Sequence, residues 1–428
     1  MPSVGVINRL RRLDIAKIIL IIALLLGIVL RVNMWQQGEG NNIFRRSRDS
    51  VAYDAIARNL LAGKGYVGTT HMIERKGQPT AFYGPIYPFY LVAIYTVFGR
   101  SVKAVQLSHM IISLATVVLL YILGEKVYGK MAGALAALIF ALSPQIAHYS
   151  FYLMSDTLDI LLEILLLILI VAFLRKERPS MWVLGGTGLL LGIAYLCRQT
   201  VFFFPVILIP IMWLRYRNNG RAWLLKSVAV LTAGILLAIA PWVIRNYIVF
   251  KEPLVETTTG PATLWWGTLE DKGTPLKTLV RRYRNDHPDM NEVQMSHLMA
   301  KEAETRLFHM TKGEVIERIE QRPRRLFGFP WPLRLSSPQM RVGISYALLG
   351  LLGTIGLFVG IRGKYDRVLI GLYAVMTMGL HLSTHTVFRY LMPVVPFLAL
   401  GSVNLLFYAG SYIKQLLYNI QGKHTATI

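Results

Sequence analysis

The first hydrophobic run of the chain reads IAKIILIIALLLGIVLRV over residues 15–32. A helix that crosses a membrane needs about 20 mainly apolar residues, and similar runs recur along the whole chain. With 54% hydrophobic residues and a mean hydropathy of +0.46 over 428 residues, the composition excludes an ordinary soluble protein. It predicts an all-α polytopic membrane protein. We expect about ten transmembrane helices, near residues 15–32, 103–124, 131–150, 157–174, 181–197, 201–214, 227–249, 343–361, 368–383 and 391–409.

The formal charge of +23 could indicate nucleic-acid binding, but its distribution favours a membrane explanation. The two termini and the loops that the predicted topology places on the same side of the membrane as the termini carry eighteen basic and four acidic residues. The positive-inside rule therefore places both termini in the cytoplasm. Basic clusters beside anionic headgroups need no nucleic acid to explain them. We expect a multi-pass protein of the plasma (inner) membrane with no nucleic-acid partner.

This topology places two long segments, residues 33–102 and 250–342, on the outer face of the membrane. We expect three parts: a transmembrane module over residues 1–249 that includes the first outer loop, an extracytoplasmic helical cap over 250–342, and C-terminal helices with a cytoplasmic tail over 343–428. The first outer loop is predicted to hold juxtamembrane helices that lie on the membrane, because residues 89–98 are apolar but too few to span it. Fifteen basic and twelve acidic residues over 251–342 indicate a solvated cap. Its apolar spacing predicts two short amphipathic helices that separate near residues 311–313.

Asp49 is the first candidate functional residue. It is the second residue of the run RDSVAYDAIARNL, which extends from residue 48 to residue 60. Tyr53, Ile56 and Leu60 recur at helical spacing, so the carboxylate would lie at the start of an amphipathic helix at the membrane surface. That position suits a general base. It also suits a helix N-cap, since Asp is preferred there, and position alone does not decide between the two.

Charged residues at the ends of predicted spans form the second group of candidates. They are Asp156, Arg198, Arg245 with Asn246, and Arg389. A charge within a span costs about 2.5 to 3.5 kcal/mol on insertion scales, so each one calls for a reason. The predicted topology brings all of them to the leaflet of Asp49. Arginine binds phosphate oxygens in pairs and stays protonated, which favours a site for a lipid phosphate. For each arginine alone, snorkelling to the headgroups is the alternative.

Weaker candidates lie elsewhere in the sequence. His381 and His385 are four residues apart and could contribute to a metal site, but the sequence offers no third ligand, and we predict no metal. Asp159 and Glu163 either line a cavity or pair with arginines inside the bundle. The single cysteine, Cys197, excludes an intrachain disulfide. No nucleotide-binding motif is present, so no cofactor is expected.

An ordered set of motifs resembles one family of membrane enzymes. The set comprises Asp49 with Tyr53, Ala57, Leu60 and Gly63; Pro85 and Pro88 before an apolar segment that ends at Phe98-Gly99; Ser143-Pro144 and Ser155-Asp156; residues 192–200 with Arg198; Pro241-Trp242 with Arg245-Asn246; and Arg389-Tyr390 before Pro393 and Pro396. Together they resemble the GT-C superfamily of glycosyltransferases that use polyprenyl-phosphate sugars. The similar branch contains the protein O-mannosyltransferases and the aminoarabinose transferase of lipid A.

The resemblance implies an inverting transfer of a hexosyl or pentosyl group on the periplasmic or extracellular face. The donor would be a polyprenyl-phosphate-linked sugar, and the acceptor a hydroxyl of a lipid, glycan or protein. Asp49 would be the catalytic base. The substrate-binding residues would be Tyr53, Tyr83, Asp156, Arg198, Arg245, Asn246 and Arg389, with the arginines on the phosphate.

Two alternatives remain at this point. A transporter or flippase for a lipid-linked saccharide would also place basic residues near a leaflet, although transporters commonly show repeated halves and broken helices near the midplane. A polymerase of polysaccharide repeat units would share the lipid-linked donor and differ in its acceptor.

Overall fold

A computed structural model describes residues 14–69, 72–269, 276–328 and 338–425. The α-helices in these ranges are α1 (Ile15–Gln36), α2 (Ile43–Arg46), α3 (Arg48–Leu61), α4 (Ile86–Phe98), α5 (Val102–Tyr128), α6 (Lys130–Ala141), α7 (Pro144–Tyr149), α8 (Asp156–Leu174), α9 (Met181–Cys197), α10 (Phe203–Tyr216), α11 (Arg221–Phe250), α12 (Thr259–Gly267), α13 (Leu276–Asp286), α14 (Glu292–Phe308), α15 (Lys312–Leu326), α16 (Pro338–Phe358), α17 (Tyr365–Ser383) and α18 (Val395–Thr425). Short 3₁₀ helices occupy Gln199–Phe202, Arg217–Asn219 and Phe388–Val394.

The predicted all-α polytopic fold is confirmed. In the described part of the chain, the only extended pairing is a single antiparallel bridge between Val67 and Pro79. Seven helical segments there are long and apolar enough to cross a membrane: Ile15–Gln36, Val102–Tyr128, Asp156–Leu174, Gln199–Asn219, Arg221–Phe250, Met340–Phe358 and Phe388–Asn419. Two shorter apolar helices follow other predicted spans: α9 covers residues 181–197, and α6 covers the first part of 131–150. The count of ten remains a prediction.

One predicted span is not a continuous helix. Residues 131–150 were expected to cross the membrane as a unit, but α6 ends at Ala141 and a separate short helix, α7, begins at Pro144. The side chain of Ser143 caps α7 by accepting a hydrogen bond from the Ile146 N–H at 3.4 Å. Serine at the N-cap and proline at the first helical position are both typical of a helix start, which explains the break.

Small residues bring the long helices close together. A Cβ atom added to Gly188 of α9 would collide with the Leu231 carbonyl of α11, and one added to Gly353 of α16 would lie 2.5 Å from the Leu398 carbonyl of α18. Close approach at glycine is a common way for helices to gain packing energy in a membrane, where water does not drive them together.

Arg31 fixes the first span to its neighbours. Its guanidinium is fully buried and donates to the Gly27 carbonyl at 3.0 Å, the Ala141 carbonyl at 3.1 Å and the Ser113 hydroxyl at 2.7 Å. Ala141 is the last residue of α6, and a helix C-terminus favours positive charge. The positive charge of Arg31 in the first span is therefore explained by its hydrogen bonds within the helix bundle.

The helices after residue 250 pack over the first outer loop and are fixed to it by polar contacts. Glu292, at the start of α14, accepts from the Ala81 N–H at 2.9 Å and from the Thr258 hydroxyl at 2.6 Å. Arg75 donates to the Pro288 carbonyl at 2.6 Å. The predicted break near residues 311–313 is confirmed, because Thr311 is the N-cap of α15.

Arg322 of α15 ties this region to the loop after α17. It is buried and donates to the carbonyls of Leu382 and Thr384 at 2.7 Å and of Gly267 at 2.5 Å. Residues 259–267 are thereby held beside the end of α17, and both segments contribute residues to the wall of one cavity.

Candidate active site

Asp49 lies in the first turn of α3 and does not cap that helix. The N-cap is Ser47, whose hydroxyl accepts from the Ser50 N–H at 3.1 Å, so the N-cap interpretation of Asp49 is wrong. The carboxylate of Asp49 instead contacts residues far away in sequence. Its Oδ1 atom accepts from the Tyr83 hydroxyl at 2.8 Å, and its Oδ2 atom accepts from Nη1 of Arg389 at 2.7 Å.

A second carboxylate joins Arg389 to Arg198. Oδ1 of Asp156 accepts a hydrogen bond from Nη1 of Arg198 at 2.5 Å and forms an ion pair with Nε of Arg389 at 3.2 Å. The side chain of Asp156 is buried, whereas those of Arg389 and Asp49 are 20% and 26% exposed. We call these four charged residues, Asp49, Asp156, Arg198 and Arg389, the charged cluster. It contains two carboxylates and two guanidiniums.

The four members of the charged cluster lie on four separate structural elements. Asp156 is the first residue of α8, Arg198 follows the last residue of α9, and Arg389 lies in the 3₁₀ helix before α18. Asp49 comes from α3 in the first outer loop. Each residue therefore lies at or near the end of a helix, as expected if the cluster is at a membrane boundary.

The loop that carries Tyr83 is held against the end of α9. A Cβ atom on Gly84 would collide with the Leu196 carbonyl, so this approach requires glycine. The Tyr66 hydroxyl donates to the Tyr83 carbonyl at 2.9 Å. The Tyr53 ring lies 4.3 Å from the Tyr83 ring, and the Tyr53 hydroxyl donates to Ser155 at 3.4 Å. These contacts place Tyr53 and Tyr83 beside the charged cluster.

The phenol of Tyr83 acts as a donor to Asp49. Burial and the neighbouring Asp49 carboxylate raise the pKa of Tyr83 well above its usual value. The hydroxyl therefore stays protonated, and its hydrogen bond fixes one oxygen of Asp49 in place.

A cavity of about 660 Å³ opens beside the charged cluster. Arg198, Arg389, Tyr53, Tyr83 and Tyr390 form part of its wall. The Nη2 atoms of the two arginines have no hydrogen-bond partner among the described residues, although the rest of each guanidinium is engaged. Two guanidinium edges are therefore available to an anion that enters the cavity.

The structure does not bring Arg245 and Asn246 to this cluster, in contrast to the sequence prediction. Arg245 donates to the Thr80 carbonyl at 2.8 Å and to the Tyr66 carbonyl at 3.0 Å, and Asn246 donates to the Leu254 carbonyl at 2.9 Å. The reason is that the end of α11 packs against the first outer loop, which Arg245 contacts, while Asn246 binds the segment that follows the helix. Because Arg245 holds Tyr66, and Tyr66 holds Tyr83, its contact with the cluster is indirect.

The remaining candidates from the sequence, His381, His385, Asp159 and Glu163, are all buried. His381 stacks on Tyr390 with ring centroids 4.6 Å apart, and His385 packs on Trp266 at 3.6 Å. No group of three or more possible metal-ligating side chains occurs in the described ranges. Glu163 accepts from the Tyr373 hydroxyl at 2.5 Å, and Asp159 lies 3.9 Å from Nε of Arg198.

Sequence reasoning missed Tyr390 as a cavity residue. The Arg198 guanidinium lies 5.3 Å above the Tyr390 ring, a cation–π contact that supports the arginine from one side. The adjacent Arg389 was the only signal in the sequence that could have indicated this role.

Comparison with known proteins gives a family match over part of the chain. Residues 81–244 match the family described as dolichyl-phosphate-mannose-protein mannosyltransferase. This region contains Tyr83, Asp156 and Arg198 but neither Asp49 nor Arg389. No curated protein matches the chain in sequence.

Solved structures match nearly the whole chain. The oligosaccharyltransferase AglB from Archaeoglobus fulgidus, in complex with an inhibitory peptide and a dolichol-phosphate, matches with a TM-score of 0.59 at 16% identity, over 96% of this chain and 52% of that one. ArnT from Cupriavidus metallidurans bound to undecaprenyl phosphate matches with a TM-score of 0.51 at 14% identity, over 87% of this chain and 58% of that one. The chain thus spans little more than half the length of these proteins. At such identities the likeness is one of fold. The resemblance indicated by the sequence motifs is confirmed at that level: this chain has the fold of the GT-C superfamily of membrane glycosyltransferases.

Proposed function

We propose that this protein is a membrane glycosyltransferase that moves a sugar from a polyprenyl-phosphate donor to an acceptor hydroxyl on the outer face of the membrane. The observation that carries the proposal is the charged cluster. Arg198 and Arg389 line one cavity, and the Asp49 carboxylate is hydrogen-bonded to Arg389 at its edge. The fold, shared with proteins solved with dolichol-phosphate or undecaprenyl phosphate, supports the lipid-linked donor.

In the proposed reaction, Asp49 is the general base. The acceptor hydroxyl oxygen attacks the anomeric carbon and forms the new glycosidic bond as its proton passes to Asp49. The bond between the anomeric carbon and the phosphate oxygen breaks, and its electron pair leaves with the polyprenyl phosphate. Attack from the side opposite the phosphate inverts the anomeric configuration. A positioned base contributes about 10²- to 10⁴-fold to such a step.

Arg198 and Arg389 hold the donor phosphate in this proposal. Negative charge on that phosphate grows as the bond to the sugar breaks, so fixed guanidinium donors stabilise the transition state more than the ground state. The phosphate also offers Arg389 a third anionic partner, besides Asp49 and Asp156. Its bond to Asp49 is then weakened when donor is present, and an oxygen of Asp49 is released to accept the proton.

The other substrate-binding residues have supporting roles. Asp156 holds the two arginines side by side, and Tyr83 orients Asp49. Tyr53 packs on Tyr83 and lines the cavity. Arg245 contributes indirectly by fixing the first outer loop, and Asn246 accepts a hydrogen bond from Arg245. The segment from residue 250 to residue 342 is proposed to be an extracytoplasmic cap that selects the acceptor, with both termini of the chain in the cytoplasm.

The first test compares glycolipids and glycoproteins by mass spectrometry in cells with and without this chain. We expect one hexosyl or pentosyl modification to disappear from a lipid, glycan or protein when the chain is absent, and to return with the intact chain but not with an Asp49→Asn variant. An unchanged set of glycans would contradict the proposal. Accumulation of a lipid-linked saccharide on the cytoplasmic side would instead support the transporter alternative.

A further inference from the structure

We propose that one face of α15 contacts the acyl chains of the membrane leaflet that surrounds the charged cluster, so that this helix lies at the membrane boundary and not in a solvated cap. The face consists of Val315, Ile316 and Ile319, and we call it the apolar stripe. The inference goes beyond the proposed function and does not depend on the proposed reaction.

The apolar stripe is exposed in the folded chain. The exposed fractions of Val315, Ile316 and Ile319 are 41%, 57% and 68%. Their spacing of three and four residues places them on one side of the α-helix. Valine and isoleucine are among the residues most often buried, and a continuous exposed apolar surface commonly marks a site of contact with another molecule or with a membrane.

The other sides of α15 make polar contacts. Arg318 and Arg322 both donate to the Gly267 carbonyl, at 2.9 Å and 2.5 Å, and so hold α15 against the end of α12. Glu317 accepts a hydrogen bond from the Gln321 side chain at 2.7 Å, on the side of the helix that is turned away from the apolar stripe. The helix is therefore amphipathic, and its apolar side is the one that the bundle does not cover.

The end of α15 lies at the depth of a membrane span. Phe327 directly follows α15, and a Cβ atom added to Gly350 of α16 would collide with the Phe327 ring. Gly350 lies ten residues beyond Met340, the first residue of the apolar span Met340–Phe358. At a rise of 1.5 Å per residue, Phe327 is therefore about 15 Å inside the start of that span.

The length of α15 limits how far the apolar stripe can lie from the lipid. Ile319 precedes Phe327 by eight residues, so the two are separated by at most about 12 Å along the helix axis. Ile319 is therefore no further out than Met340 for any tilt of α15, even if α16 has the usual tilt of about 20°. None of the described residues that line the cavity belongs to the apolar stripe. An exposed apolar side chain at this depth and outside the cavity faces lipid.

The charge of α15 also fits a membrane surface. Residues 312–326 include five basic and three acidic residues, and basic residues beside an apolar face are typical of helices at the lipid–water boundary. Lys312 lies on the same side of the helix as the apolar stripe, so its aliphatic stem can cover apolar surface while its amine reaches anionic headgroups. These features favour lipid over a second copy of the chain as the occupant.

This arrangement lets the membrane support the cavity. Thr259, Gly260 and Leu264 of α12 form part of the cavity wall, and Gly267 at the end of α12 is held by two arginines of α15. Lipid against one side of α15 would therefore stabilise the wall that is fixed to its other side.

Spin labels on α15 test which surface covers the apolar stripe. In a Cys197→Ser background, a nitroxide is attached at Ile316→Cys, Ile319→Cys or Glu317→Cys of the purified full-length chain in phospholipid nanodiscs. Power saturation then measures access of oxygen, which concentrates in hydrocarbon, and of a water-soluble nickel chelate. We expect access of oxygen to exceed that of nickel at positions 316 and 319, and the reverse at position 317 on the polar side. Leu351→Cys is the reference for lipid contact, because Leu351 lies in a span and is 60% exposed.

Two results of this experiment would overturn the inference. If nickel has better access than oxygen at positions 316 and 319, the apolar stripe faces water. If both positions are shielded from both reagents while position 351 admits oxygen, a second copy of the chain covers the stripe.

Hydrogen exchange tests whether lipid holds α15 in place. In the double variant Ile316→Asn with Ile319→Asn, the amides of residues 312–326 should exchange about tenfold faster or more, because two apolar side chains no longer anchor the helix in lipid. Glu317→Asn is the matched control and should leave this exchange unchanged. Unchanged exchange in α8 shows that both variants fold. Equal exchange of residues 312–326 in the double variant and the control would contradict the proposed contact with lipid.

Discussion

Replacing Asp49 with asparagine tests the proposed chemistry at a single functional group. Asparagine has nearly the same shape, and its side-chain oxygen can still accept the hydrogen bond from Tyr83 that is 2.8 Å long in the native chain. The change removes the charge that pairs with Arg389 and the group that would accept the proton. Ser47 remains the N-cap of α3, so the helix keeps its start.

The expected loss of stability is small compared with the expected loss of activity. Asp49 and Arg389 are 26% and 20% exposed, so their ion pair contributes on the order of 1 kcal/mol after solvent screening. The favourable effect of a carboxylate in the first helical turn adds about 0.3 to 1 kcal/mol. Arg389 keeps Asp156 as a partner at 3.2 Å, which avoids a buried charge without compensation. Loss of a general base, in contrast, should slow transfer by about 10² to 10⁴, equivalent to about 2.7 to 5.5 kcal/mol in the barrier.

The assay is single-turnover transfer from a defined polyprenyl-phosphate sugar by the purified variant, together with its affinity for that donor. We expect nearly normal donor affinity with transfer reduced by at least about two orders of magnitude. Asp54→Asn is the matched control on the same helix. Asp54 accepts from Tyr95 at 2.9 Å and pairs with Arg100 at 2.8 Å, so its replacement should lower stability and leave the chemical step intact. Near-normal transfer by Asp49→Asn would refute the reasoning and direct attention to Asp156 as the base.

Three further predictions concern the anion site, the topology and the response to pH. Arg198→Ala and Arg389→Ala should each weaken binding of a polyprenyl-phosphate sugar, with only partial rescue by lysine because it lacks the paired geometry; unchanged affinity in calorimetry for both would favour simple snorkelling. In a cysteine-free background, an impermeant thiol reagent should label Lys64→Cys from outside and Asn219→Cys only after permeabilisation, and labelling of position 219 in intact cells would invert the topology. Burial and the neighbouring Glu292 carboxyl raise the pKa of Glu74 from its ordinary 4.5 to about 8, so the folded chain holds this proton more tightly than the unfolded chain and loses stability as the pH rises from about 4.5 through 8. Thermal unfolding should therefore show a lower Tm at pH 9 than at pH 6, with a smaller difference in Glu74→Gln; an equal difference in that variant would contradict this assignment.

The sequence predicts the membrane helices well because hydrophobicity is a local property. A run of about 20 apolar residues indicates a membrane span by its composition alone, and the observed helical segments follow the predicted runs. The exception, residues 131–150, contains Ser143-Pro144, a helix-start signal that the hydrophobic count ignores. The convergence of Asp156, Arg198 and Arg389 at one end of the spans was also predictable. Charged residues that interrupt an apolar sequence are usually found at the ends of membrane spans.

Other parts of the site depend on contacts that no local pattern encodes. The end of α11 was predicted to within one residue, but the contact of Arg245 with the first outer loop depends on the path of residues 66–80, which could not be read from the sequence. The same holds for Gly84, because glycine at this position is explained only by the nearness of the Leu196 carbonyl.

Asp49 and Arg389, which touch in the folded protein, are 340 positions apart in the chain. A ribosome that adds about 5 to 20 residues per second needs roughly 17 to 70 s to synthesise the stretch between them. During that interval the early helices already lie in the bilayer among lipids of many kinds. Asp49 has no ion pair with Arg389 at this stage, because Arg389 has not yet been synthesised. The cavity wall is thus completed only by the final spans, and under the proposed function a nascent or truncated chain that lacks Arg389 would not transfer the sugar.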